Sequence, residues 1–201
     1  ILLESSQGEA LRLHVFSILK HLEAASGFVH ERQERLQLGE LHLLASREAR
    51  LATAYERAHE HARLGLHWLG PDCWTDAYPL TRDLHGELIA AEYFAGGSEA
   101  AKSSFEAAKL RVHPGEDRAA LYIQWIDLET SRGRYSQAIA AGCEILAEYG
   151  VNVPVKGGKI PLVLEQIAVR KAIRGRTAAE LAALQPLQDP RVWRIDRVLS
   201  A

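Results

Sequence analysis

Apolar residues recur along most of this chain every three or four positions, which is the period that buries one face of an α-helix. In the first such stretch, residues 9–25, the apolar stripe consists of Leu11, Val15, Ile18, Leu19 and Leu22. Alternation with a period of two, the mark of a half-buried strand, is hard to find. The pattern therefore predicts an all-α chain.

The predicted helices are separated by short breaks at glycine, proline or polar residues. There are about nine or ten of them, over residues 9–25, 31–45, 47–69, 72–94, 98–112, 117–132, 136–149, 162–174, 178–184 and 190–199. Asp72 and Ser98 are predicted as N-caps, and Pro79 falls in early turns, where proline is tolerated or produces a kink. Residues 151–161 are predicted to form a loop, because Pro154, Gly157, Gly158 and Pro161 interrupt the helical pattern there.

One phrase occurs twice: a glycine-containing turn precedes small or apolar residues at offsets of 5, 9 and 12. The copies are Gly96 with Ala101, Phe105 and Ala108, and Gly133 with Ala138, Gly142 and Ile145. They start 37 residues apart, near the roughly 34 of a tetratricopeptide repeat. Because glycine lets the chain reverse and alanine lets helices approach closely, we expect antiparallel helical hairpins. Hairpins of this kind stack as a TPR-like α-solenoid, in which each one hides its apolar stripe against its neighbours.

We expect the repeat array to occupy residues 1–155, with residues 156–201 as a helical extension packed on it within one continuous domain. The chain opens Ile1-Leu2-Leu3 and contains no methionine, which indicates a fragment of a longer polypeptide. Its formal net charge of -2 gives no global field that favours nucleic acid or acidic lipid. No run of apolar residues approaches the length of a membrane span. The two cysteines, Cys73 and Cys143, lie far apart and are expected to be reduced, buried thiols of a cytosolic protein.

Motifs for phosphate and metal binding fall short of their requirements. The run Gly157-Gly158-Lys159-Ile160 lacks both the hydroxyl residue after lysine and the preceding strand of a phosphate loop. His59 and His61, two positions apart, point to different faces of a helix and cannot easily share one ion. Neither cysteine has a Cys-x-x-Cys partner, and the chain contains no Gly-x-Ser-x-Gly elbow. We therefore expect no catalytic residue, no metal ligand and no cofactor.

Charged groups are expected to be structural. Glu116 and Asp117 are interpreted as helix-start charges that favour the macrodipole. The basic cluster of Arg170, Lys171, Arg174 and Arg176 is expected to be a solvated helix end, with anion binding as the alternative.

A groove function would need polar and aromatic residues on the inner face of the first helix of each hairpin. Tyr78, Arg82 and His85 lie in one such helix and Asp127 lies in another, so these four are the candidate interaction residues. The tryptophans are expected to serve core or inter-repeat packing; they are Trp68, Trp74, Trp125 and Trp193.

A series of short phrases, taken together, resembles the helical region of large bacterial signalling proteins. They are Ala49-x4-Ala54-Tyr55-x2-Ala58, Gly65-Leu66-x2-Leu69, Trp74-x3-Tyr78-x-Leu80, Leu84-His85, Ala91-Glu92-x-Phe94, Asp117-Arg118-Ala119, Gly133-Arg134-Tyr135-x2-Ala138-Ile139, Gly150-Val151-x2-Pro154 and Leu181-x2-Leu184-x-Pro186-Leu187-x-Asp189-Pro190. The resemblance covers nearly the whole chain from about His14 onward. Two residues depart from the family's pattern: Gln185, where a plain Leu-Pro pair would read, and Gly97, which widens a turn.

The family consists of multidomain kinases in which a predicted NTPase, sometimes after a serine/threonine kinase domain, is followed by this helical segment. A GAF sensor and a histidine kinase or another output module commonly come next. The resemblance implies a non-catalytic cytoplasmic module that relays between the flanking NTPase and sensor or kinase domains, or that binds regulatory proteins. It carries over no catalytic residue, because the family's nucleotide and phosphotransfer motifs belong to other domains.

A second interpretation stays open. Helical sensor domains of NTPase-type transcription activators bind a sugar or another small metabolite. A sensor predicts a closed pocket with convergent polar groups, whereas a relay module predicts an open groove.

Overall fold

The computed structural model describes residues 14–22, 31–153, 175 and 189–201. The helices are α1 (residues 14–22), α2 (Arg32–Leu51), α3 (Tyr55–Leu69), α4 (Cys73–Asp76), α5 (Tyr78–Phe94), α6 (Ser98–Lys109), α7 (Glu116–Ser131), α8 (Tyr135–Glu148) and α9 (Pro190–Ser200). The described residues include no strand, and their helices pack against one another, so the predicted all-α fold is confirmed.

The chain divides into two compact units, Ile1–Gln124 and Trp125–Ala201. The predicted boundary at residues 155 and 156, and the helices predicted over 162–174 and 178–184, lie outside the described residues. Within the described part of the chain, none of the helices combines the length and the apolar character needed to cross a membrane.

In the first unit, α2 and α3 form an antiparallel hairpin. Ser46, near the end of α2, donates its hydroxyl to the carbonyl of Ala58, near the start of α3, at 2.8 Å. At the other end of the hairpin, Gly39 lies against the side chain of Leu69. The sequence predicts a break between two helices at Ser46. This prediction is wrong, because Ser46 is buried inside α2.

Helix α3 is also antiparallel to α5. Its first residue, Tyr55, stacks on Phe94 at the end of α5, with ring centroids 5.1 Å apart. Near the end of α3, a Cβ on Gly65 would lie 2.7 Å from the side chain of the buried Leu84, so glycine allows close packing there. Helices α2 and α5 consequently run parallel, and α3 packs against both of them.

The next hairpin, α5 and α6, follows the same plan. His113, just after α6, returns to Tyr78 at the start of α5, and the two rings stack at 3.7 Å. Phe105 of α6 meets Tyr122 of α7 edge-on, with centroids 5.2 Å apart. The first residues of both helices of this hairpin differ from the prediction. Ala77 interrupts the helix expected over 72–94 and leaves Pro79 in the first turn of α5, and Gly97 rather than Ser98 is the N-cap of α6.

The turns that end α2, α5 and α7 share one hydrogen-bonding pattern. In each, a backbone N–H reaches the carbonyl five residues earlier: Ala54 to Ala49 at 2.8 Å, Gly97 to Glu92 at 2.9 Å and Arg134 to Glu129 at 2.9 Å. The residue before that N–H has a positive φ, as in a Schellman motif. These residues are Thr53 (58°), Gly96 (97°) and Gly133 (70°).

Thr53 therefore marks a third copy of the repeated phrase that the sequence analysis did not recognise. Offsets of 5, 9 and 12 from Thr53 lead to Ala58, Ala62 and Gly65, all of them buried. The copy was missed because threonine takes the left-handed position that glycine occupies in the other two turns. In the two recognised copies, Ala101, Phe105, Ala108, Ala138 and Ile145 are buried as predicted.

The second unit contains α8 and α9. Helix α8 buries Ala138, Ala141, Ile145 and Leu146. Asp189 caps α9 by accepting a hydrogen bond from the backbone N–H of Arg191 at 2.8 Å, and the Arg191 side chain donates to the carbonyl of Tyr149. These contacts fasten the start of α9 to the end of α8.

Candidate functional site

Several polar side chains of the described part of the first unit bind one another on one surface, where α2, α5 and α7 run parallel. We call this surface the polar face. Its residues are Arg47 and Arg50 of α2, Arg82, Asp83 and Glu87 of α5, and Asp117 and Gln124 of α7.

Two arginines of α2 bind two carboxylates of α5. Arg47 donates Nη2–H to Asp83 Oδ2 at 3.0 Å, and its Nε lies 3.5 Å from Glu87 Oε1. Arg50 engages Glu87 with both arms of its fork, from Nε at 2.7 Å and from Nη2 at 3.2 Å. The hydrogen bonds to Glu87 raise the pKa of Arg50. A bidentate pair of this kind fixes orientation as well as charge, so α2 and α5 are held in register.

A second set of contacts joins α5 to α7. Arg82 donates Nη1–H to Asp117 Oδ1 at 2.5 Å while its Nε and Nη2 bind Asp83 Oδ1 at 2.9 and 2.8 Å. The Tyr78 hydroxyl donates to Asp117 Oδ2 at 2.8 Å. Arg82 thus binds one carboxylate on its own helix, Asp83, and one on α7, Asp117. Together with the pairs between α2 and α5, these contacts form a continuous chain of ion pairs from α2 to α7.

The partners on this face are separated by about one repeat in the sequence. Arg47 and Asp83 are 36 residues apart, Arg50 and Glu87 are 37 apart, and Arg82 and Asp117 are 35 apart. Gln124 donates to the carbonyl of Gly86, 38 positions away, at 2.9 Å. The polar face therefore has a signal in the sequence: residues of opposite charge occur about one repeat apart.

Four aromatic rings form a cluster at the edge of the polar face where α5 begins. Trp74 of α4 stacks on His85 with ring centroids 4.8 Å apart, and it contacts Tyr78 at 6.0 Å. Tyr78 in turn stacks on His113, whose backbone N–H donates to the Tyr78 hydroxyl at 2.8 Å. Burial, and to a lesser extent the charge of Arg111, lowers the pKa of His85 to about 4, so its ring is neutral at neutral pH.

The structure brings three of the four predicted interaction residues together. Tyr78 and Arg82 contact Asp117 directly, and His85 lies in the aromatic cluster through Trp74. Asp127 is exposed on α7 and belongs to the second unit.

Most of the partners of these residues cannot be recognised from the sequence pattern alone. Asp117 does lie in the first turn of α7 as predicted, and in addition it accepts bonds from two side chains of α5. Arg47, Asp83 and Glu87 were not singled out, because their pairing becomes visible only when successive repeats are aligned.

The histidines of α3 have separate partners. His59 pairs with Glu92 at 3.6 Å, whereas His61 contacts His42 at 3.2 Å between the two Nδ1 atoms, so His59 and His61 do lie on different faces. Across the described ranges, no group of three or more histidine, cysteine, aspartate or glutamate side chains is placed to hold a metal ion. Both cysteines are free thiols; Cys73 is buried as predicted, whereas Cys143 is only partly so.

Two other motifs considered in the sequence lie outside the described residues. They are the run Gly157-Gly158-Lys159-Ile160 and the basic cluster of Arg170, Lys171, Arg174 and Arg176.

No family model matches this chain, and no curated protein or solved structure is significantly similar to it. The geometry of the chain itself is therefore the basis for assigning a function.

Proposed function

We propose that this chain is a non-catalytic helical-repeat interaction module of a cytoplasmic multidomain signalling kinase. In this role it relays between an NTPase domain and sensor or output domains. The observation that carries the proposal is the continuous chain of ion pairs from α2 through α5 to α7. The resemblance of the sequence phrases to the helical region of such kinases supplies the biological setting.

The physical argument is that these contacts couple neighbouring repeats. Arg47 and Arg50 bind carboxylates of the following hairpin, so rotation of one hairpin against the next strains charged hydrogen bonds at their interface. Arg82 passes the same constraint on to Asp117. Because each repeat of a solenoid contacts only its neighbours, small rotations accumulate along the array. A partner that binds one hairpin therefore biases the orientation of the next.

The direct test is calorimetric titration of this chain with the separately purified NTPase and sensor domains of its full-length protein. We expect saturable binding to at least one of them and no hydrolytic turnover by the chain alone. Absence of measurable contact with every flanking domain contradicts the relay function. A thermal-shift screen with metabolites tests the sensor interpretation, which predicts reproducible stabilisation by one class of compound.

Coupling can be tested separately from binding. Asp117→Asn keeps the shape of the side chain but weakens its bonds to Arg82 and Tyr78. In the full-length protein, we expect this variant to bind its partner domains normally while the NTPase domain regulates the output domain less strongly. Glu116→Gln, an equally conservative change at the neighbouring, exposed position of the same helix, is the matched control. Equal effects of the two substitutions would argue against a relay through the polar face.

A further inference from the structure

The charges of the polar face are layered: its arginines are more exposed than the carboxylates they bind. The side chains of Arg47 and Arg82 are 44% and 36% exposed, whereas those of Glu87 and Asp117 are 10% and 24% exposed. Asp83, which two arginines contact, is 30% exposed. A molecule approaching from solvent therefore meets guanidinium groups first, although the net charge of the face is close to balanced.

Arg47, the most exposed arginine of the polar face, also has a free hydrogen-bond donor. A guanidinium group carries five N–H donors, and Arg47 engages its two carboxylates through Nη2 and Nε. Within the described part of the chain, Arg47 Nη1 has no hydrogen-bond partner. An additional carboxylate can therefore bind Arg47 without displacing Asp83 or Glu87.

The surface of the polar face is recessed between Arg47 and Arg82. A cavity of about 190 Å³ opens there, and its lining includes Arg47, Arg82, Glu87, Gly86, Ala120 and Gln124. Ala120 has only a methyl side chain, so a bound main chain can approach α7 closely at this point. The space beside Gly86, by contrast, is filled by the side chain of Gln124. The amide of Gln124 lies beside Gly86 and provides a neutral hydrogen-bonding group at this point.

From these three features we infer that the polar face binds an extended acidic peptide segment that presents a carboxylate to Arg47. The inference rests on the proposed interaction function and names the chemistry of the partner. Bonds from a guanidinium group to a carboxylate are directional and often bidentate, so they favour carboxylates and other oxyanions over spherical anions such as chloride. The carboxylates beneath the arginines hold the guanidinium groups in place before the peptide arrives.

The test is fluorescence anisotropy of the full chain with three labelled eight-residue peptides at low and physiological salt. One peptide is rich in glutamate, one has glutamine at the same positions, and one has lysine there. We expect the glutamate peptide to bind about tenfold more tightly than the glutamine peptide, a difference of about 1.4 kcal/mol, because hydrogen bonds to charged groups are stronger than neutral ones. Its affinity should fall as salt is raised, because the contacts are partly exposed.

Arg47→Gln is the informative variant. It leaves no carboxylate unpaired, since Asp83 keeps Arg82 and Glu87 keeps Arg50. Circular dichroism should therefore remain unchanged while affinity for the glutamate peptide falls at least fivefold. Arg57→Gln, at an exposed position of α3, is the matched control and should bind like the unmodified chain.

Three outcomes would overturn the inference: equal binding of the glutamate and glutamine peptides, preference for the lysine peptide, or tighter binding of a single-stranded oligonucleotide than of the glutamate peptide. Loss of affinity in Arg57→Gln as large as that in Arg47→Gln would also contradict it, because it would indicate nonspecific attraction. If the peptides fail to bind while a flanking domain binds, this inference is wrong and the interaction function stands. If no flanking domain binds, the interaction function itself is contradicted.

Discussion

Arg50 of α2 holds the carboxylate of Glu87 on α5 through two hydrogen bonds, 2.7 Å from Nε and 3.2 Å from Nη2. The Glu87 side chain is nearly buried, whereas Arg50 is a third exposed. For Glu87, the ion pair with Arg50 is therefore comparable to a buried ion pair, because its carboxylate has little access to water. Such pairs give little net stability but are costly to break from one side.

We expect Arg50→Met to lower the free energy of unfolding by about 2–3 kcal/mol, because it leaves Glu87 with only the longer contact to Arg47. The double variant Arg50→Met/Glu87→Met should recover most of this loss, since no buried charge remains unpaired. Urea unfolding of the single and double variants measures the coupling. Additive losses would show that the pair does not act as a unit. Arg57→Met on the exposed face of α3 should stay within about 0.5 kcal/mol of the unmodified chain.

Thr53 gives a second prediction because its φ of 58° is unfavourable for a β-branched residue. Thr53→Gly should raise the free energy of unfolding by about 0.5–1 kcal/mol, the relief of strain exceeding the entropy cost of glycine. The converse change, Gly96→Thr, places threonine at a φ of 97° in the equivalent turn and should cost about 1–2 kcal/mol. Thermal and urea unfolding measure both effects. Changes of the same sign in the two variants would contradict the equivalence of the turns.

The fold was largely predictable because its signals are local. Apolar stripes with helical spacing locate α5, α7 and α8, and the alanines after Gly96 and Gly133 are buried because paired helices approach closely there. The turn at Thr53 was not predictable in the same way. A threonine with positive φ is held there by the neighbouring Ala54-to-Ala49 hydrogen bond and by the packing of Ala58, which a sequence pattern does not display.

The candidate site was only partly predictable. Tyr78 and Arg82 follow from their type and helical position, but the role of Asp117 depends on which residue of the preceding repeat lies beside it. That neighbour is fixed by the relative register of α5 and α7, and the register depends on packing rather than on local propensity. Pairs such as Arg47 with Asp83 could have been found by searching for opposite charges one repeat apart.

His42 gives a prediction for pH dependence. Its ring is fully buried in α2, and its Nδ1 lies 3.2 Å from that of His61. Burial, followed by the charge of His61, lowers the pKa of His42 to about 4. An unfolded histidine titrates near 6.5, so between these two pKa values the unfolded chain binds more protons than the folded one. Stability therefore falls as the pH is lowered from about 6.5 towards 4.

We expect His42 to account for a loss of about 2 kcal/mol between pH 7 and pH 4.5. Urea unfolding across this range should show a shallower pH dependence for His42→Asn than for the unmodified chain. His14→Asn, at an exposed position of α1, should leave the slope unchanged. An unaltered slope in His42→Asn would mean that His42 does not control this part of the pH profile.

Tyr78 gives the last prediction, because its hydroxyl joins the loop after α6 to the polar face. It accepts the backbone N–H of His113 and donates to Asp117, each at 2.8 Å. Tyr78→Phe keeps the ring stack on His113 but removes both hydrogen bonds, and we expect a loss of about 1–2 kcal/mol in the free energy of unfolding. The amide of His113 should also exchange with solvent faster, because its acceptor is gone. Hydrogen exchange with residue resolution measures this directly, and Tyr135→Phe, at an exposed position of α8, is the matched control. Unchanged exchange at His113 would show that ring stacking alone holds the loop against α5.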